Sequence, residues 1–131
     1  MNFTKESNAM QGSLFLLQKF VNWEDFMMVK EDFKIIDHCL CIRMPGEIDH
    51  HNAGGIIALA DELICDESVK NLVFDFGDTE FMDSSGIGII VGRYKKIQCF
   101  GGKVFCIHVS NQIRKILFTA GLKPIIEILE D

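Results

Sequence analysis

NLVFDFGDTEFMDSSGIG, residues 71–88, contains the two signals that decide the fold. NLVFDF (71–76) is an apolar run rich in aromatic and β-branched side chains, with the length of a buried central strand. After the loop GDTEF, Asp83 or Ser84 offers a side-chain oxygen to the unpaired amides of a helix that we expect to run to about Ile97. A strand followed by a capped helix predicts an α/β fold.

The rest of the chain continues this alternation in both directions. Upstream, FKII (33–36) and CLCIRM (39–44) predict a hairpin or a bent strand. A helix through GGIIALADELIC is predicted to begin at Asp49 or Asn52. Downstream, KVFCIHV predicts a strand, NQIRKILFTAG a helix closed by Gly121, and PIIEIL a short last strand or an apolar tail. Alternation of this kind implies right-handed crossovers, so we expect a small mixed, mostly parallel sheet with helices packed against it.

Composition limits the possible functions. The chain has 131 residues, enough for one domain with its own core. A net charge of -6 argues against a nucleic-acid partner, because such proteins normally present a basic surface. The five cysteines form no CxxC pair, so they suggest neither a zinc site nor a disulfide framework and indicate a reducing, cytoplasmic setting. We expect no metal and no cofactor.

An N-terminal extension, residues 1–27, precedes the predicted domain, residues 28–131. It contains no apolar run long enough for a signal peptide or a membrane span. Apolar side chains recur in it at helical spacing, at Leu16, Phe20, Trp23 and Met27. This stripe predicts a partly helical extension that packs on the domain or joins two copies in a weak dimer.

The helix after Asp83 is predicted to have one buried and one exposed face. At about 100° per residue, the face against the sheet holds Ile87, Ile90, Val91, Tyr94 and Ile97. Ser85, Ile89 and Gly92 then share the opposite face, where we expect a small, partly apolar docking surface. In the alternative, Ile89 and Gly92 are covered by the N-terminal extension.

Three chemistries can use the paired serines, Ser84 and Ser85. A hydrolase nucleophile needs a GxSxG elbow and a base, and no such arrangement is evident, so we predict no enzyme. A nucleotide site needs GxxxxGK(S/T) or GxGxxG, which are also missing, although a helix N-terminus favours anions. Reversible phosphorylation needs one displayed hydroxyl, because a phosphoserine adds about 1.5 to 2 negative charges at pH 7. Plain helix capping is the structural alternative for Asp83 and Ser84.

Three motifs together resemble a known family: GEIDHHNA (46–53), FMDSSGIGIIVGRYKKIQCFGG (81–102) and AGLKPII (120–126). They are similar to those of the STAS-domain anti-sigma factor antagonists, most of all in the branch that acts in the sporulation sigma-F switch of spore-forming bacteria. The similarity covers roughly residues 28–129. DSSG alone would be a weak signal, whereas FMDSSG followed by GRYKKI, with GEIDHH upstream, is specific.

This resemblance implies a regulator that has no enzyme activity. In its unphosphorylated form it would bind an anti-sigma factor that is also a serine kinase, and would thereby free a sigma factor. The kinase, which uses ATP as its own cofactor, would phosphorylate Ser85, the second serine of the DSS pair. Phosphorylation would end the binding, and a PP2C-type phosphatase would restore it.

The helix face and the resemblance together give a set of candidate partner-binding residues. They are Asp49 and His50 in the GEIDHH loop, and Asp83, Ser84, Ser85, Ile89, Gly92 and Arg93 in the serine helix. For His50 and its neighbour His51, packing or capping at a helix start is the alternative, and a metal site would need more ligands. Two other functions stay open: a nucleotide-binding STAS module, and a partner-switching regulator of a stress sigma factor.

The chain also departs from the family at both ends. It carries the extension of residues 1–27, and it stops soon after its last apolar run, where the family often has a further helix. One hypothesis is that the extension packs where that helix is missing. The other is that the extension has no role.

Overall fold

The computed structural model describes residues 31–130, apart from the side chain of Asp66. The N-terminal extension, its apolar stripe and the predictions made for them lie outside the described residues. Within residues 31–130 the chain forms seven strands and three helices. In chain order they are β1 (Phe33–Ile36), β2 (Cys39–Arg43), β3 (Glu47–Ile48), α1 (Ala53–Asp66), β4 (Asn71–Asp75), β5 (Phe81–Met82), α2 (Ser84–Gln98), β6 (Val104–Ile107), α3 (Asn111–Thr119) and β7 (Ile126–Leu129).

The chain enters the sheet through a hairpin, in which β1 and β2 pair antiparallel. Asp37 and His38 form the two-residue turn, and both have positive φ angles, 50° and 64°. Two successive left-handed residues are the type I′ geometry that matches the twist of paired strands. The structure therefore has the hairpin of the two alternatives that the sequence left open.

The main sheet has five strands in the order β1-β2-β4-β6-β7. Every pair after the hairpin is parallel. NLVFDF supplies β4, the central strand, as its apolar composition predicted. The α/β prediction of a small mixed, mostly parallel sheet with packed helices is confirmed.

One face of this sheet is packed against the helices. The side chains that β2, β4 and β6 contribute to it are no more than 1% exposed; they are Leu40, Ile42, Leu72, Phe74, Val104 and Cys106. Helical residues such as Leu59, Ile90 and Leu117 belong to the same buried cluster. No helix of the described part is long and apolar enough to cross a bilayer.

Glycines end both α2 and α3. The amide of Gly102 donates to the Ile97 carbonyl over 3.0 Å, and that of Gly101, at φ 76°, donates to the Gln98 carbonyl over 2.9 Å. This is the Schellman pattern, which satisfies carbonyls that the helix leaves unpaired. Gly102 has no room for a side chain, because a Cβ there would lie 1.9 Å from the backbone oxygen of Lys70. Gly121 closes α3 at φ 82°, as predicted.

Candidate functional site

Two of the motifs meet in a small second sheet. β3 lies in GEIDHH and β5 in FMDSSG, and they pair in parallel, with Glu47 opposite Phe81 and Ile48 opposite Met82. The amide of Asp83 also donates to the Ile48 carbonyl over 3.0 Å. The pairing brings the segment after β3 beside the start of α2. Neither strand was predicted from the sequence, and the start of β5 was expected to be a loop, because two residues are too few for a period-two pattern.

Thr79 links the segment that leads into β3 to the segment that leads into β5. It is 5% exposed, and its hydroxyl donates to the Pro45 carbonyl over 2.9 Å. The amide of Glu80 donates to the Gly46 carbonyl over 2.7 Å. These bonds fix the chain just before β3 against the chain just before β5, so the position of one motif depends on that of the other.

The helix α2 begins with a side-chain cap. Asp83 is extended, and its Oδ1 accepts from the amide of Ser85 over 2.7 Å. The cap satisfies one of the amides that a helix start leaves without a partner. The predicted cap is therefore Asp83, and Ser84 is the first residue of the helix. The same bond fixes the backbone of Ser85 in place.

The first turn of α2 rests directly on the small sheet. Gly86 is buried, and a Cβ at this position would lie 2.6 Å from Met82 Sδ and 3.3 Å from Ile48 Cγ2. Only glycine therefore lets the helix approach β3 and β5 so closely. This contact fixes how far the two serines stand from the small sheet. Ser84 is exposed and Ser85 is half-buried.

The GEIDHH loop is held by its own side chains. Asp49 Oδ1 accepts from the amides of His51 and Asn52, over 2.9 and 3.3 Å. Asn52 Oδ1 accepts from the Asp49 amide, and its Nδ2 donates to the Glu47 carbonyl over 2.7 Å. Asn52 takes the N-cap position of α1 without a side-chain bond to the helix, so both predicted capping residues stabilise the loop instead. His50 is exposed in this loop, and its ring centroid lies 3.9 Å from that of His51 with the two rings tilted by 38°.

The site is acidic. The hydrogen bond from the His51 amide holds the pKa of Asp49 below its usual value, with further help from the Asn52 amide, so Asp49 is ionised at neutral pH. Around the small sheet, Glu47 and Glu80 are exposed and Asp83 is half-buried. Phe81 adds an apolar side chain, 49% exposed, between these acids. The surface around the serines is thus an acidic patch with one aromatic side chain in it.

The predicted docking face of α2 is wrong at Ile89. This side chain is fully buried in the core, together with Ile90 and Ile97, whereas Ile87, Val91 and Tyr94 of the predicted sheet face are only partly buried. The physical reason is that α1 packs beside α2, so the buried face of α2, which holds Gly86, Ile89, Ile90, Arg93 and Ile97, is turned from the predicted face towards α1. The hydrophobic pattern of one helix does not show on which side a neighbouring helix will pack.

Arg93 also belongs to the contact between α1 and α2. It is 6% exposed, and its Nε lies 2.8 Å from Asp61 Oδ1, at ion-pair distance but without hydrogen-bond alignment. Burial lowers the pKa of Arg93, and Asp61 opposes that shift. The buried guanidinium pairs α2 with α1. Arg93 therefore has little exposed surface with which to contact a partner. Gly92 is half-buried, and apart from the adjoining backbone of its own helix no described atom lies within 4 Å of the place where its Cβ would be.

A second polar cluster lies at the carboxyl ends of the parallel strands. Asp75 Oδ1 accepts from the amide of Gly77 over 2.9 Å and lies 2.8 Å from His108 Nδ1. Burial raises the pKa of Asp75, but the bonds to His108 and Gly77 outweigh it and hold the pKa below the usual value. Among residues 31–130, no three metal-ligating side chains are gathered as a metal site would need. This cluster ties β4 to the end of β6.

Known proteins match the chain over the region that contains these motifs. A STAS domain model matches residues 31–131. An anti-sigma F factor antagonist of Paenibacillus polymyxa is 35% identical over 92 residues, which make up 70% of this chain and 79% of that protein. An anti-sigma-B factor antagonist of Bacillus subtilis (strain 168) is 29% identical over 103 residues, or 78% of this chain and 92% of that protein.

Solved structures match the same region. The anti-sigma factor antagonist SpoIIAA in its unphosphorylated form superposes with a TM-score of 0.63 at 27% identity, over 76% of this chain and 86% of that one. The Bacillus cell fate determinant SpoIIAA in the phosphorylated form gives a TM-score of 0.62 at 28% identity, over 74% and 88% of the two chains. The motifs, the fold and these similarities agree, and the chain belongs to the STAS domain family.

Proposed function

We propose that this chain is an anti-sigma factor antagonist whose binding is switched by phosphorylation of Ser85. The unphosphorylated form binds an anti-sigma factor that is a serine kinase, and so frees the sigma factor. The phosphorylated form is released, and a PP2C-type phosphatase resets it. The observation that carries the proposal is the start of α2, where Asp83 fixes Ser85 beside the GEIDHH loop in a chain whose relatives are named antagonists.

Charge explains how one phosphate can act as a switch. A phosphoserine adds about 1.5 to 2 negative charges at pH 7. At Ser85 this charge stands next to Asp83 and near Glu47 and Asp49, in a patch that is already acidic. The partial positive charge of the helix N-terminus lets the folded domain tolerate the phosphate. A partner that packs against the neutral hydroxyl would instead have to desolvate a dianion among carboxylates.

The size of the effect is sufficient for a switch. Each 1.4 kcal/mol lowers affinity about tenfold, so a penalty of about 4 kcal/mol gives a thousandfold difference between the two forms. Burying an uncompensated charge at an interface commonly costs several kcal/mol. No movement of the backbone is needed for this mechanism.

The partner surface consists of exposed and half-buried residues around the small sheet and on the first turns of α2. Asp49, His50, Asp83, Ser84, Ser85 and Gly92 keep this assignment, and Phe81 joins them as an exposed aromatic side chain within the acidic patch. Ile89 does not, because it is fully buried, and Arg93 positions α2 rather than contacting the partner. We expect the partner to present a basic surface with an apolar recess for Phe81.

The Asp83 cap of α2 disfavours nucleotide binding at this helix start. A phosphate group would need the amides of the first turn, and the carboxylate of Asp83 already accepts from one of them. Two negative groups would therefore compete for one helix start. Among the antagonists, similarity supports the sigma-F branch, although the anti-sigma-B relative keeps a stress sigma factor as the second candidate. Titration against the anti-sigma factors of both branches separates these two candidates.

The test is phosphorylation followed by binding. The chain is incubated with ATP and an anti-sigma F kinase, and the modified residue is located by peptide mass spectrometry. We expect one phosphate on Ser85 and loss of binding to the kinase. Ser85→Ala should bind and stay unmodified, whereas Ser84→Ala, the matched control one residue away, should still be phosphorylated. Phosphate on Ser84, or unchanged affinity after modification of Ser85, would refute the switch.

A further inference from the structure

The order of strands places all described helices on one side of the main sheet. The three parallel crossovers run from β2 to β4, β4 to β6 and β6 to β7, and each moves one place in the same direction. Right-handed crossovers that all advance in one direction put their helices on the same face. The packing agrees, because α1 contacts α2 and the buried strand residues join the helices in one cluster. No element of residues 31–130 covers the opposite face, which we call the open sheet face.

The open sheet face has an apolar centre and also carries the polar side chains Lys34, Arg43, Asn71, Asp75 and Glu127. It consists of the strand positions that alternate with the core residues, and strand register aligns them in rows across the sheet. Ile36 is 57% and Leu129 43% exposed, and the apolar residues of the central strands are half-buried. Its main apolar side chains are Ile36, Cys41, Val73, Phe105, Ile107 and Leu129.

We expect another element to pack on the open sheet face. Soluble domains rarely leave a contiguous apolar patch of more than a few hundred Å² in water, and each Å² that is buried contributes about 25 cal/mol. The parallel strands β4 and β6 are at the centre of this sheet, and parallel strands are normally covered on both faces.

The chain itself carries a segment of suitable size and chemistry. The apolar stripe Leu16, Phe20, Trp23 and Met27 recurs at helical spacing. A helix over these positions would be about 17 Å long, at 1.5 Å per residue. Five strands at about 4.8 Å spacing make a sheet about 19 Å wide, so the two lengths match.

The point of attachment favours the same occupant. Only five residues separate Met27 from Phe33, the first residue of β1, and β1 is an edge strand of the sheet. A linker this short keeps the stripe within reach of the sheet at an effective concentration in the millimolar range. Charge does not discriminate between occupants, because the open face carries Lys34 and Arg43 together with the acids Asp32 and Asp75.

We propose that residues 16–27 of the same chain dock on the open sheet face and cover it. The two cysteines of β2 report on this contact. Cys39 and Cys41 lie on the open face, whereas Cys65 and Cys99 are exposed on the helices α1 and just after α2. Burial raises the pKa of the Cys39 thiol to about 11, so it reacts slowly at neutral pH and Cys41 is the better reporter.

The experiment is timed thiol labelling of the full chain, read at each cysteine by peptide mass spectrometry. Trp23→Asp places a charge in the stripe, and Gln18→Asp, on the opposite side of the predicted helix, is its matched control. We expect Trp23→Asp to speed labelling of Cys41 by at least about tenfold, equivalent to 1.4 kcal/mol of docking free energy. Labelling of Cys65 and Cys99 should not change, and Gln18→Asp should label as the unmodified chain does.

A reciprocal measurement covers the case in which Trp23→Asp does not fold. Trp23 is the only tryptophan, so its fluorescence in the full chain reports on the segment alone. Phe105→Lys on the open face should make Trp23 more accessible to iodide, whereas Phe118→Lys, exposed on α3, should not.

Two results would overturn the proposal. One is equal labelling of Cys41 in the unmodified chain and Trp23→Asp, together with no response of Trp23 to Phe105→Lys. The other is protection of Cys41 that disappears on dilution as a dimer dissociates in analytical ultracentrifugation, which would make a second copy the occupant. Both results leave the phosphorylation switch untouched, because the open face and the serines are on different parts of the domain.

Discussion

At the residue scale, Asp83 serves two purposes with one carboxylate. It caps α2 through the Ser85 amide, which fixes the backbone of the serine. It also adds negative charge next to the hydroxyl that we propose is phosphorylated. One aspartate therefore both presents Ser85 to a kinase and makes the site more sensitive to a new phosphate.

Gly86 and Gly88 provide a residue-scale prediction. Both lie in the first turns of α2, but a Cβ at Gly86 would meet Met82 at 2.6 Å whereas a Cβ at Gly88 would meet nothing within 4 Å. Gly88→Ala should stabilise the domain by about 0.5 to 1 kcal/mol, because alanine favours helix. Gly86→Ala should destabilise it by about 1 to 2 kcal/mol, since Met82 must shift within a packed site. Urea denaturation measures both changes, and a stabilising Gly86→Ala would contradict the close packing of α2 on the small sheet.

At the scale of elements, α2 is packed on two sides, and its contact with α1 is the one that sequence periodicity did not reveal. Asp61 of α1 faces two cations of α2, with Arg93 Nε at 2.8 Å and Lys96 Nζ at 3.9 Å. Arg93 is buried and Lys96 is exposed. The two pairs share one acid but differ in solvent access.

This difference predicts unequal costs of removal. Arg93→Met should lower the free energy of unfolding by about 2 kcal/mol, because it leaves the Asp61 carboxylate without its buried partner. Lys96→Ala should change it by less than about 0.5 kcal/mol, as an exposed pair does. The double variant Arg93→Met with Asp61→Leu should regain at least half of the loss. Equal costs for Arg93→Met and Lys96→Ala in urea denaturation would show that burial does not govern this contact.

At the scale of the whole molecule, the sheet has two unlike faces. Phe74 on the helix side is fully buried, whereas Phe105, on the neighbouring strand and the opposite face, is half-buried. The helices supply the packing on the first face. The proposed N-terminal cover would supply it on the second.

Phe74 and Phe105 therefore should not cost the same. Phe74→Ala should lower the free energy of unfolding by about 3 to 5 kcal/mol, the usual cost of a large cavity in a core. In a chain that lacks residues 1–27, Phe105→Ala should cost about 1 kcal/mol, because much of its ring surface is not buried by residues 31–130. Denaturant midpoints at fixed protein concentration measure both. A loss at Phe105 equal to that at Phe74 would mean that the second face is as tightly packed as the first.

The sequence by itself determined the α/β class, the central strand β4, the capped start of α2 and the glycine stop of α3. These features depend on signals within one segment: apolar runs, capping side chains and glycine at positive φ. The family also followed from sequence, because its motifs are long enough to be specific. The tertiary structure alone decided the pairing of β3 with β5, the burial of Ile89 and Arg93, and the open sheet face. Each of these depends on which distant segment lies alongside, and a local pattern of hydrophobic residues holds no information on that.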